Sequence, residues 1–341
     1  MADIFSTDVL NAVIANLVGD PQFLVDRFFG TIQTETSEEI HFDVLDGKRR
    51  VAPFVSPLGE GQIVAELGFK TYTYKPAYIK DKRVFDMNKP LKRSPGEQIG
   101  GNLSPAARLR ALLAISLQDQ LTMLNRRLEV MAGEVLTTGK LTIVGDKYPT
   151  VIVDFGRAAA NTIVASPLWS DTVNADPIGN LSTWAQTSLQ SQGIMLTDVI
   201  MAPDAWAAFI KSPKVTDRLN LFRGIGAPPS LNLNTAATEG GVYMGTIDVF
   251  NIWQYMAWYV DPVDGLETPV RPSGTVLLTS PLIAGVRAYG AIRDEEAGLQ
   301  ALPYYVKSWV EPDPSVRFVM LQSAPLVVPY RPNACVKAKV I

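Results

Sequence analysis

SPAARLRALLAISLQDQLTMLNRRLEVMAGEVLTTG, residues 104–139, decides the architecture of this chain. Ser104 offers a side-chain acceptor at an N-cap, and Pro105 stands at the first helical position, where its missing N–H costs nothing. Gly139 closes the run as a C-cap, so a single helix is predicted from 104 to 138. Leu109, Leu113, Leu117, Leu121, Leu124, Leu128, Met131 and Val135 recur every three or four positions, which buries one stripe of it. At 1.5 Å per residue the rod is about 50 Å long, more than a small domain needs for its own core. A rod of that length is expected to touch neighbouring subunits.

On its N-terminal side lies VAPFVSPLGEGQIVAELGFKTYTYKPAYIKDKRVFDMNKPLKR, residues 51–93. Pro53, Pro57, Pro76 and Pro90 break any helix there, TYTY alternates at strand period, and a segment so composed is expected not to bury itself. From Lys70 to Arg93 there are eight basic residues (Lys70, Lys75, Lys80, Lys82, Arg83, Lys89, Lys92, Arg93) against Asp81 and Asp86, a balance of +6. With a net charge of -3 overall, the remainder carries -9. Acidic complements are available at Glu35, Glu38, Glu39, Asp43 and Asp46 and at Asp294, Glu295 and Glu296. The extended loop, with Lys70, Tyr72, Tyr74, Lys75, Tyr78, Lys80, Lys82 and Arg83 as contact residues, is therefore expected to lie on an acidic surface of the next subunit. A solvated basic face is the plainer reading, and a DNA-binding patch is the second choice after the strap.

Farther out, residues 1–50 hold a short helix near DVLNAVIANLV and an apolar knot of Phe23, Leu24, Phe28 and Phe29. After the long helix, GKLTIVGDKYPTVIVDFG reads as a β-hairpin around a Gly-Asp turn. A composition shift at Gly156 opens a stretch of alternating helix and strand signals: a helix in ADPIGNLSTWAQTSLQSQG, a buried strand in DVIMAP, a helix capped by Asp204, and sheet from 241 to 290. The strand-rich, proline-punctuated tail from Tyr304 is expected to return beside the long helix. The class is α+β. The division expected is an N-terminal arm (1–50), an extended loop (51–95), a first domain (96–156 and 291–341) that holds the helix 104–138, and an α+β domain (157–290) inserted into it.

Chemistry is harder to find. The single Cys335 excludes an intramolecular disulfide framework and multi-cysteine metal sites. The one histidine, His41, sits at strand period in EEIHFDVLDG, and no G-x-S-x-G elbow exists for it to activate. GEVLTTGKL, residues 133–141, has five residues between its glycines instead of four and Leu141 where a P-loop needs a hydroxyl, so it reads as a helix end. Asp294, Glu295 and Glu296 lack EF-hand spacing and are flanked by Arg287 and Arg293, which favours ion pairing over a bound metal. The six tryptophans (Trp169, Trp184, Trp206, Trp253, Trp258, Trp309) are dispersed, favouring core packing over a base-stacking platform. No cofactor site and no enzyme of a common class is expected. No apolar run approaches a membrane span of about 20 residues, and the first residues lack a signal peptide's basic region and cleavage site, so folding in a cytoplasm is expected.

The order of these parts resembles the major capsid proteins of tailed phages, in particular the lambda type. DPQFLVDRFF, PFVSPLGEGQIV, TYTYKPAYIK, VDFGR, YGAIRDEEAG and KSWVEPDPSVRFVMLQSAPLVVP carry the resemblance by their order and spacing across nearly the whole chain. It implies the tailed-phage capsid fold and a structural protein that self-assembles as hexamers and pentamers into an icosahedral head enclosing double-stranded DNA. It also implies a separate scaffold protein during assembly, a portal at one vertex, and a decoration protein rather than a cross-link between Lys70 or Lys75 and Asn333. The protein would then reside in the virion after assembly in the host bacterial cytoplasm, with no membrane partner. A nanocompartment shell of the same fold class and a soluble α+β enzyme remain the alternatives.

Overall fold

A computed structural model describes residues 5–17, 22–37, 39–45, 51–52, 54–55, 57, 60, 68–85, 104–145, 148–222, 240–313 and 316–341. Helices α1 (Thr7–Ala15) and α2 (Phe23–Phe28) and strand β1 (Thr31–Thr34) are followed by β2 (Ile40–Leu45), β3 (Phe69–Tyr74), β4 (Ile79–Phe85) and the long helix α3 (Pro105–Thr138). Next come the hairpin β5 (Lys140–Gly145) and β6 (Tyr148–Asp154), then β7 (Thr162–Val164), α4 (Pro177–Gln192), β8 (Asp198–Met201), α5 (Pro203–Lys211) and α6 (Pro213–Phe222). The remainder is β9 (Gly241–Ile247), β10 (Phe250–Tyr255), β11 (Trp258–Val260), β12 (Glu267–Pro269), β13 (Thr275–Thr279), β14 (Gly285–Tyr289), β15 (Tyr305–Glu311), β16 (Val316–Ser323), β17 (Pro325–Pro329) and β18 (Cys335–Lys339).

The ends of α3 form as their residues dictate. The Ser104 hydroxyl accepts from Ala107 N–H at 3.2 Å, and Gly139, at φ 72°, donates to the Val135 carbonyl at 2.8 Å. Of the predicted stripe, Leu109 is half-buried and the other seven residues are buried. The stripe serves two cores of its own subunit. Leu113, Leu117 and Leu124 pack with Phe5, Leu10, Ile14, Val306, Val319 and Leu321, while Leu128, Met131 and Val135 enter the main core with Phe23, Leu24 and Phe28. The length of the rod is thus used inside the subunit, contrary to the expectation that it exceeds the subunit's own core.

Other expectations are also revised. The segment after residue 50 does not stay clear of the subunit over residues 69–85: β3 pairs antiparallel with β2, and β4 pairs along all seven of its residues with β16. Each strand needs a ladder partner for its backbone groups, and the chain supplies one. The N-terminal segment is integrated as well, because β1 joins β14 in parallel and α1 packs in the smaller core. The tail does return beside α3, as expected, but it divides: β15 and β16 form a three-stranded sheet with β4, whereas β18 completes the six-stranded sheet β7-β18-β13-β8-β10-β9. Asp204 does not cap α5. Pro203 starts that helix two residues earlier, with Ala202 as N-cap, and Asp204 instead accepts from Gly274 N–H at 2.6 Å and from the Ser273 hydroxyl.

Candidate assembly surfaces

The β2–β3 ribbon carries the first half of the predicted contact set. Tyr72 stacks on Phe42 at 5.6 Å, and its hydroxyl lies 2.9 Å from where a Cβ on residue 156 would stand, a space open because Gly156 has no side chain, and φ 72° there favours glycine as well. Tyr74 packs on the main core, where burial and then Tyr148 push its phenol well above the usual range. Both tyrosines therefore work within the subunit. Lys70 and Lys75 are exposed. Beyond β2 the described positions Val51, Phe54 and Val55 are exposed, Phe54 fully so at 104%. Apolar side chains left in that state are candidate contacts.

Strand β4 carries the second half. Tyr78 accepts at its hydroxyl from Arg293 N–H, and burial holds its phenol above the usual value. Lys80 sits 5.3 Å from the Tyr78 ring, and Lys82 Nζ sits 3.9 Å from the Phe318 ring and 5.2 Å from Trp309. Arg83 bridges Asp81 at 2.9 Å and Asp119 of α3 at 2.6 Å, while Gln120 donates to the Asp81 carbonyl. Arg83 thus ties strand to helix. Lys89, Lys92 and Arg93 lie outside the described residues.

The acidic complements are placed as follows. Glu35 is half-buried and accepts from Gln33 at 3.0 Å and His41 N–H at 3.1 Å, Glu39 is half-buried, and Glu38 and Asp46 lie outside the described residues. Asp294, only 8% exposed, pairs with Lys307 and accepts from Gln322 at 2.9 Å. Burial alone would raise its carboxyl, but these donors hold it below the usual range. The partner expected from sequence was a flanking arginine; Arg287 instead reaches Asp26 at 3.8 Å, because strand pairing, not adjacency, sets who meets Asp294. Glu295 and Glu296 are exposed.

The residues weighed for chemistry in the sequence are placed as follows. The His41 ring meets the Thr73 hydroxyl at 2.9 Å across the ribbon. Cys335 is buried against the Leu136 carbonyl, and burial pushes its thiol up to about 11. Among the described residues, no three His, Cys, Asp or Glu side chains group so as to hold a metal, and no helix is long and apolar enough to cross a membrane. Asn333 Oδ1 accepts from Ala158 N–H at 2.8 Å and from Asn161 at 3.2 Å, which holds the side chain against the segment after β6.

Three features escaped the sequence reading. Trp258 is exposed, unlike the core role expected of it, because β11 pairs only with β12 and leaves one face uncovered. Glu129 is buried on α3 beneath α2, a carboxylate whose only sequence signal is its place beside Leu128 in the apolar stripe. Asp198, 1% exposed, receives Arg27 of α2 and the Trp253 indole at 3.3 Å, joining elements 171 residues apart.

The chain is similar to known proteins in sequence and in fold. A family model described as phage major capsid protein E matches residues 6–340. The major capsid protein of Escherichia phage lambda is 29% identical over 331 residues, 94% of each chain. That of Enterobacteria phage P21 is 28% identical over 348 residues, 99% of each. Among solved structures, a prophage capsid protein from E. coli CFT073 superposes with a TM-score of 0.75 at 22% identity over 98% of this chain and 99% of that one.

Proposed function

The chain belongs to the phage major capsid protein E family, a structural component of the virion and not an enzyme, and we propose that its copies close the head by strapping the loop between β2 and β3 over a neighbouring subunit. The observation that carries this reading is the exposure of Val51 (90%) and Phe54 (104%) in the loop, with exposed Lys70 at the loop end of the ribbon and exposed Lys75 just past its far end. An apolar tip with a cationic stem gains from burial and from charge complementarity at once. Tyr72, Tyr74 and Arg83 serve as the anchorage of the strap, since their side chains are engaged within the subunit, and Lys80 and Lys82 extend its basic face.

The peripheral unit comprises α1, α3 and the β4–β16–β15 sheet, and the axial unit comprises the six-stranded sheet with α4 to α6. β18 is shared between the two stretches of sequence. Many weak contacts per subunit make closure cooperative. A chain of net charge -3 holds packaged double-stranded DNA loosely. A separate scaffold protein, a portal at one vertex, a decoration protein and assembly in the host cytoplasm complete the proposal, with Asn333 left out of any cross-link.

Negative-stain microscopy of the expressed protein, followed by nuclease treatment and extraction of nucleic acid from any particles, tests it. Closed shells of hexamers and pentamers are expected. Particles filled with one protein cargo would favour a nanocompartment, and a small oligomer without particles would sink the shell reading.

A further inference from the structure

We propose that the β11–β12 hairpin of one copy docks on the open face of the β4–β16–β15 sheet in a second copy of this chain. The inference rests on the shell-building reading, and it gives Lys80 and Lys82, the residues that extend the strap's basic face, a defined partner in a second copy.

The hairpin is rigid and uncovered. Trp258 pairs with Pro269, Tyr259 with Thr268 and Val260 with Glu267. The turn is braced three times: Asp261 Oδ1 accepts from Val263 N–H at 2.8 Å, Asp264 Oδ1 accepts from Leu266 N–H at 2.9 Å, and Asp261 N–H donates to the Leu266 carbonyl at 2.9 Å. Tyr259 is half-buried within electrostatic reach of Arg127 and Glu134 of α3, which anchors one face of the hairpin. The face opposite Tyr259 presents Trp258 at 58% and Val260 at 61% exposure, with Glu267 across from Val260, and the turn beyond adds Val263 at 75% and Leu266 at 63%. Single exposed apolar residues need no explanation, but four on one braced turn do. Residues 256–270 also hold Asp261, Asp264 and Glu267 and no lysine or arginine.

A surface of the opposite kind stands on the same chain. Register sets Lys82, Met320 and Lys307 in one row of the sheet and Val84, Phe318 and Trp309 in the next, all on one face because alternate residues share it. The opposite face sends Val306, Val319 and Leu321 into the core against α3. On the open face Trp309 and Phe318 stack at 5.4 Å with Lys82 over them, and Val84 is 59% exposed. Asp294 takes Lys307 and exposed Glu311 ends the face, so its cationic part is Lys80 and Lys82. An acidic apolar hairpin and a basic aromatic sheet match in charge and in polarity. Because the two patches differ, the contact is heterologous, the kind that builds rings when the rotation closes.

Charge exchange tests the pairing. Glu267→Lys, Lys82→Glu and the combination of both would be expressed beside the unaltered chain, with circular dichroism confirming the fold and sedimentation measuring shell yield. Each single change is expected to lower yield by about tenfold, and the combination to recover most of it. Trp258→Ala should lower yield without recovery by either charge change. Singles that assemble like the unaltered chain, or a combination no better than the weaker single, would overturn the pairing while leaving the shell reading intact. Failure of the unaltered chain to form shells would instead bring down the shell reading itself.

Discussion

Glu129 shows how one side chain holds separate elements in place. Its carboxylate accepts from Leu24 N–H at 2.9 Å, Val25 N–H at 3.0 Å and the Tyr255 hydroxyl at 2.7 Å, linking α2, α3 and β10 from a site 2% exposed. The first N–H groups of a helix have no partner within it, and here the partner comes from 105 residues away. Glu129→Ala strands all three donors and should cost about 3 kcal/mol by urea denaturation of dispersed subunits. Burial holds this carboxyl above its ordinary 4.5 despite the Leu24, Tyr255 and Val25 donors. The folded protein therefore keeps a proton there that the unfolded chain has released, and the group's contribution falls as pH rises from 4.5 through the folded value. Glu129→Gln removes that slope. Denaturation midpoints of the unaltered chain should decline relative to the Gln variant as pH rises through this window, and parallel curves would refute the assignment.

At the scale of elements, α3 is one helix with two clienteles. Its first half supports α1 and the β4–β16–β15 sheet, and its second half supports α2 and the main core, so a straight axis keeps the two cores aligned. Leu121, 6% exposed, is buried on the same stripe between Leu117 and Leu124 of the smaller core, in the middle of the helix. Leu121→Pro deletes a backbone hydrogen bond and drives its ring into the preceding turn, at a cost of about 3 kcal/mol or more. Loss of the cooperative thermal transition together with loss of closed particles is expected; normal particles under the electron microscope would show that α3 does not set the geometry of the subunit. Arg83 joins β4 to the same helix through Asp119, but with side chains 27% and 60% exposed the pair contributes at most about 1 kcal/mol. The seven-residue ladder to β16 is what keeps β4 in place.

For the whole molecule, the boundary of the strap becomes an experiment. An excision through residue 86 would remove β3 and β4 and so destroy two sheets of the subunit. Replacing residues 51–67 by a short Gly-Ser turn keeps the β2–β3 pairing and removes Val51 and Phe54. The subunit should then retain its circular dichroism and melting behaviour while closed shells disappear from sedimentation and microscopy. Shells of normal yield would remove the strap from the mechanism.

Local signals were enough for much of this. Ser104, Pro105 and Gly139 mark the ends of α3, a three-to-four-residue repeat marks its buried stripe, and the order of motifs marks the family, because caps, periodicity and order are properties of consecutive residues. The sequence also shows a basic segment and an absence of common catalytic motifs. Only the tertiary structure decided that β4 belongs to a sheet with β16, that β18 crosses into the six-stranded sheet, that Asp294 answers to Lys307, and that Trp258 lies open. Those outcomes depend on which distant strands share a ladder, and ladder partners are chosen by the free energy of the whole packed chain, which no stretch of neighbouring residues contains.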